Sequence, residues 1–172
     1  MKNRILLLIV AIFITSYAIS QENPTVPSVD LKTLEGQTIN TSSFSNDGNF
    51  YLISFWATWC KPCRKELSAI AEYYDDWQEE TGIKLIAVST DDSRGVSQVG
   101  AIVNSSGWEY EIYLDTNGDF KRAMNVNTIP HMFIINGQNE IVWQHNSYTE
   151  GDEILLYETI LQLIAGLETG AE

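Results

Sequence analysis

Apolar and polar positions change their period several times along this chain, and each change predicts an element. The first apolar run, Ile5 to Ile14, follows Lys2 and Arg4 and is ten residues long. A membrane-spanning helix needs roughly 20. Ala18 and Ser20 supply small residues at the −3 and −1 positions before Gln21, so residues 1–20 are predicted to be a secretory signal peptide. Left uncleaved, and lengthened by Tyr17 and Ile19, the same run would be a membrane anchor.

The rest, residues 21–172, reads as one domain. Asn23 to Ser28 carries two prolines and is expected to be an extended lead. Val29 to Asn40 alternates around Glu35-Gly36 and predicts a β-hairpin. Phe50 to Trp56 is a run of β-formers after the turn Asn46-Asp47-Gly48 and predicts a buried strand. Between Lys61 and Glu80 the period lengthens: Leu67, Ile70, Ala71, Tyr74 and Trp77 share one helical face, and Gly82 ends the helix. Ile83 to Ser89 predicts a second buried strand. Thr90 to Asp92 offers caps for a weaker helix over 93–103. Trp108 to Leu114 is expected to be extended, and Asn117 to Met124 to be a short helix. Ile129 to Asn136 and Glu140 to Gln144 predict two strands joined at Gly137. Asp152 opens a last helix whose apolar face holds Ile154, Tyr157, Leu161 and Ile164, with a frayed tail after Gly166. Alternating strands and helices make this an α/β domain.

Charge then narrows the partners. The chain has 172 residues with 10 basic and 23 acidic side chains, a net charge of −13. Losing residues 1–20 would leave eight basic side chains against 23 acidic ones, or −15. Such a surface repels nucleic acid and anionic lipid. Two cysteines are too few for a disulfide scaffold, but they lie three positions apart, and a secretory address implies a compartment where disulfides persist.

Trp59-Cys60-Lys61-Pro62-Cys63 stands where a buried strand gives way to a helix. The first turn of a helix presents unpaired N–H groups and the positive end of the dipole, which favour a thiolate over a thiol. The thiol there is expected to ionise nearer pH ~7 than the usual ~8.5. Lys61 adds to that effect, and Pro62 fits the first helical turn without loss of a ladder bond. Two intervening residues let the sulfurs bond to each other. Cys60, expected at an exposed tip, is then the nucleophile and Cys63 the resolving thiol. Two inert cysteines and half of a zinc site are the competing readings. A polar, proline-containing turn speaks against the first. The second lacks ligands nearby, since His131 and His145 are distant in sequence. Asp115 to Asp119 superficially suggests a calcium loop, but a turn with a helix cap fits its misplaced glycine better.

The string FWATWCKPC followed by RKE, and later TIPHMFII, resembles the thioredoxin superfamily. The leader, the EGQTI hairpin and the longer middle section bring it closest to the TlpA/ResA branch of extracytoplasmic thiol–disulfide oxidoreductases. The resemblance covers nearly all of residues 24–166. It implies a thioredoxin fold with an N-terminal β-hairpin and a central inserted α/β segment, its mixed sheet flanked by helices. It also implies that Cys60 attacks and Cys63 resolves, that Trp59 flanks the site, and that Ile129-Pro130 is a cis bond turning the Ile129 main chain toward the sulfurs. Glu66 matches a glutamate that tunes thiol protonation; its plainer reading is an acid in the first helical turn. His131 either lines the substrate groove or is a surface histidine.

Three departures qualify the resemblance. Ser54 stands where thioredoxin has a buried aspartate, and Ser68 replaces a helix-kinking proline, which predicts a straighter helix. Ile53 and Ala57 occupy the positions where peroxiredoxins need Pro and Thr or Ser, which disfavours peroxide chemistry. The reading implied is a monomeric reductase of protein disulfides outside the cytoplasm, with the Cys60–Cys63 pair as its redox centre and no metal or organic cofactor. Its electrons come from a membrane thiol carrier of the CcdA or DsbD kind, and its substrates include apocytochromes c. The alternatives are a disulfide oxidase or isomerase using the same cysteines, or a non-catalytic binding module.

Overall fold

The computed structural model describes residues 23–169, so the leader expected over 1–20 lies outside the described residues. Seven strands form one mixed sheet: β1 (Asp30–Thr33), β2 (Thr38–Asn40), β3 (Tyr51–Trp56), β4 (Lys84–Ser89), β5 (Glu111–Leu114), β6 (His131–Ile135) and β7 (Ile141–Asn146). Their order is β2-β1-β5-β4-β3-β6-β7. The three central strands β5, β4 and β3 run parallel, and the other pairs are antiparallel. Helices α1 (Lys61–Ala71), α2 (Tyr74–Thr81), α3 (Val99–Ser106), α4 (Asp119–Ala123) and α5 (Asp152–Thr169), with two 3-10 turns at Thr41–Ser43 and Val96–Gln98, complete the described elements. This is an elaborated thioredoxin fold, with the hairpin and inserted α/β elements added to it.

All six residues of β3 are buried, because both faces of the sheet are covered. Leu52 and Trp56 point to one core with Leu67 and Ile70 of α1, Tyr74 and Trp77 of α2, and Leu156 and Ile160 of α5. Ile53 and Phe55 point to the other, with Leu31, Phe120 and Phe133. Each such side chain contributes roughly 1.5–3 kcal/mol of burial. The lead is not loose: Thr25 bridges to Glu140, and the Val26 N–H donates to the Asn139 carbonyl. At the β6–β7 turn, Gly137 packs on the backbone of Gly48, where a Cβ would stand 2.0 Å from a carbonyl oxygen.

The single helix expected over 61–80 is two helices. α1 stops at Ala71, and the Tyr73 N–H bonds to the Ile70 carbonyl, one residue short of helical spacing. Side-chain hydroxyls hold the break: Tyr110 donates to the Leu67 carbonyl, and Tyr74 accepts the Leu85 N–H. A side chain bonded at the ladder can interrupt a helix, and this one stops after Ala71 although Ser68 stands in place of the kinking proline. The helix expected over 93–103 starts later, because Asp92 closes a turn on Arg94 and Gly95 instead. Trp108 and Tyr110 turn into the core rather than joining β5. In α5, Ile154 is exposed, and Leu156 and Ile160 are buried. The helix itself runs on to Thr169, past the expected fraying point.

Candidate active site

β3 ends at Trp56, and a tight turn, Ala57 to Cys60, is closed by the Cys60 N–H donating to the Ala57 carbonyl at 3.0 Å. Pro62 then sits in the first turn of α1. Cys60 is the N-cap of that helix, and its Sγ accepts the Cys63 N–H at 3.3 Å. The two sulfurs form a disulfide with Cα atoms 5.3 Å apart. The leading sulfur therefore occupies the place where a helix stabilises an anion.

Cys60 is not at an exposed tip. It is 4% exposed and Cys63 is fully buried, so only Cys60 keeps a sliver of surface. Trp59 beside it is 71% exposed, so ordinary packing does not account for it. Lys61, Arg64 and Lys65 are exposed along the same side of α1, and none forms an ion pair among the described residues. Lys61, Pro62 and Lys65 form one wall of a groove of about 650 Å³; Tyr148, Glu150 and Glu153 form the other.

The Ile129–Pro130 bond is cis. The pairing Phe55 to His131 sets Pro130 level with Trp56, at the end of β3 from which the cysteine turn departs. The Ile129 N–H and carbonyl enter no hydrogen bond among the described residues.

Glu66 lies in the second turn of α1, not the first, and is buried. Burial, helped by the nearby negative charge of Asp152, pushes its carboxyl up to about 8. Its Oε2 has no hydrogen-bond partner among the described residues. Glu66 lines a cavity of about 20 Å³, room for one water, together with Met132, His145 and Asp152. His145 Nε2 stands 3.9 Å from Asp152 Oδ2. This gives a neutral acid, poised near neutral pH, on the face of the sheet that holds Cys63. Ser54 lies on that face too, and its Oγ is buried without a partner among the described residues.

His131 is neither a groove residue nor a surface one. Its ring stacks on Phe133 at 4.5 Å on the opposite face of the sheet, with Nε2 3.1 Å from Gln144 Oε1, and burial lowers its pKa. Asp115 caps α4, accepting the Phe120 and Lys121 N–H groups, as a turn-and-cap reading requires. Sequence reasoning missed Thr58 and Asp91. Asp91, expected among helix caps, is buried and bonds back to Thr58, 33 residues away. Only the acid following a buried strand hinted at it.

The profile of the AhpC/TSA family matches residues 23–144. Sporulation thiol-disulfide oxidoreductase A of Bacillus subtilis is 33% identical over 123 residues, covering 70% of this chain and 72% of that protein. Thiol-disulfide oxidoreductase ResA of the same organism is 30% identical over 132 residues, covering 77% and 70%. Among solved structures, a thioredoxin-like protein from Porphyromonas gingivalis is 48% identical, with a TM-score of 0.73, covering 84% of this chain and 95% of that one. A cysteine pair bridged at a helix N-cap, in a chain matched over this extent, places the protein in the AhpC/TSA family of the thioredoxin superfamily, as a ResA-like thiol–disulfide oxidoreductase.

Proposed function

We propose that this oxidoreductase works as a reductant of protein disulfides outside the cytoplasm, with Cys60 attacking and Cys63 resolving. The observation that carries the reading is the Cys60 sulfur at the N-cap of α1, accepting a backbone N–H, in the one residue of the pair that keeps any exposed surface. In the reduced protein, Cys60 thiolate attacks one substrate sulfur. A Cys60–substrate bond forms, the substrate disulfide breaks, and its leaving sulfur takes a proton. Cys63 then loses its proton and attacks Cys60. The Cys60–Cys63 bond forms and the second substrate thiol departs, two electrons having passed to the substrate. Glu66, an acid poised near neutral pH beneath the motif, is suited to exchange the proton that Cys63 gives up.

Exposed Trp59 beside Cys60 and the main chain of Ile129, which enters no hydrogen bond among the described residues, suit an extended substrate segment. Lys61 favours the thiolate, and Pro62 stiffens the turn. Electrons return through a membrane thiol carrier of the CcdA or DsbD type, and apocytochromes c are the substrate class the family resemblance suggests. The short apolar leader with its small-residue end supports an extracytoplasmic location. Among residues 23–169, no helix is long and apolar enough to cross a membrane. The acidic surface fits a monomer that does not engage nucleic acid.

Insulin reduction with dithiothreitol tests the reaction: the wild type accelerates it and Cys60→Ser does not. Equal rates would leave a binding module. The direction is tested by the redox potential, expected below about −200 mV; a value near −120 mV would make the protein an oxidant. Cys63→Ser should trap mixed disulfides with its substrates in vivo.

A further inference from the structure

The turn that carries Trp59 and Cys60 is held from the end of β4. Asp91 is 1% exposed, and three donors meet its carboxylate. Oδ2 accepts the Thr58 N–H at 2.8 Å and the Ser89 hydroxyl at 2.8 Å, while Oδ1 accepts the Thr58 hydroxyl at 2.6 Å. The Asp91 N–H donates back to Ser89 Oγ. One residue earlier, the Thr90 N–H and hydroxyl both donate to the Trp56 carbonyl, at 2.8 and 3.1 Å. Gly95 closes the space behind: a Cβ there would stand 2.8 Å from Asp91 Oδ1.

No cation pairs with Asp91 among the described residues. A buried carboxylate is costly unless hydrogen bonds replace its water. Capping one stray N–H does not call for a carboxylate, since a neutral side chain serves as well. Two of the three bonds here go to Thr58, the residue between buried Ala57 and exposed Trp59. The carboxylate thus fixes both the backbone and the rotamer at the start of the turn that ends in Cys60.

We infer that Asp91 is a positioning residue for thiol–disulfide exchange, acting through Thr58 to set how Trp59 and the Cys60 sulfur face an incoming disulfide. The inference rests on the oxidoreductase reading but not on the direction of electron flow. Small displacements at a reacting centre are expensive, up to about a hundredfold for 1 Å.

The test compares Asp91→Ala, Thr58→Val and the double variant with wild type. Thr58→Val changes no charge and keeps the backbone N–H, so it serves alone if Asp91→Ala does not fold. Each single variant is expected to lower kcat/KM for insulin reduction roughly tenfold. Each should also shift the pH midpoint of Cys60 alkylation upward, as the sulfur leaves its N-cap. The double variant should be little worse than Asp91→Ala alone, because the hydroxyl bond that Thr58→Val removes is already lost there. Variants that melt earlier but keep the wild-type alkylation profile and kcat/KM would overturn the inference. So would a midpoint that falls in Asp91→Ala and stays put in Thr58→Val, since that reports only the removal of a negative charge. Failure of the wild type itself to reduce insulin would sink the functional reading, and the alkylation profiles would still judge Asp91.

Discussion

Glu66 shows how burial converts one side chain into a pH dependence. Its carboxyl ionises near 4.5 in the open and near 8 in the fold. Between those values the folded protein binds the proton that the unfolded chain has released. Stability from this group is therefore fully present below pH 4.5 and declines as pH rises through 8, by up to about 1.4 kcal/mol per pH unit. Urea unfolding of the oxidised protein, where neither thiol titrates, should show the midpoint falling between pH 5 and 8. Glu66→Gln should flatten that trend and remove the ionisation near 8 from the rate of reduction. A trend left unchanged by Glu66→Gln would mean that Glu66 is charged where it lies. The residue was legible in the sequence only through family resemblance. RKE after the motif marks it, but a window of sequence places it on the helix without saying that α5 closes over it.

Helix α1 carries its charges against the usual rule. Its first turn holds no acid, and Lys61, Arg64 and Lys65 crowd the positive end of the dipole without an ion pair. Such placement costs the helix a few tenths of a kcal/mol per charge and favours an anion at the N-cap instead. Lys61→Glu should then raise the alkylation midpoint of Cys60 by about half a pH unit to one while leaving or slightly raising the melting temperature. An unchanged midpoint would put Lys61 outside the electrostatics of the sulfur. The elements themselves were largely legible. The period change at Lys61 located α1, the β-branched and aromatic runs located β3, β4 and β6, and Gly82 closed α2 in the left-handed conformation. What was not legible depends on contacts far along the chain. Tyr110 on the Leu67 carbonyl breaks the helix from 43 positions away. In α5, apolar residues occur nearly all round, so spacing alone could not choose between the Ile154 and Leu156 faces.

At the scale of the whole molecule, the Cys60–Cys63 disulfide links folding to redox chemistry. The bridge spans three positions, so it removes little freedom from the unfolded chain. The stability difference between oxidised and reduced protein is therefore decided mainly inside the fold, by two opposed features. The N-cap stabilises a reduced thiolate. The core stabilises a disulfide, because Cys63 is fully buried among Trp56, Leu67 and their neighbours, where a charged or polar thiol gains little. A thermodynamic cycle equates that difference with the gap between the potential of the active site and that of the same disulfide in the unfolded chain, about 1.4 kcal/mol for every 30 mV. Strong oxidants are those in which the reduced form is the more stable. A reductant must show the reverse order. Parallel urea titrations of the oxidised and fully reduced protein at pH 7 should therefore find the oxidised form unfolding at the higher concentration. The opposite order would mean that the N-cap outweighs the core, and that this same pair of cysteines donates its disulfide rather than its electrons.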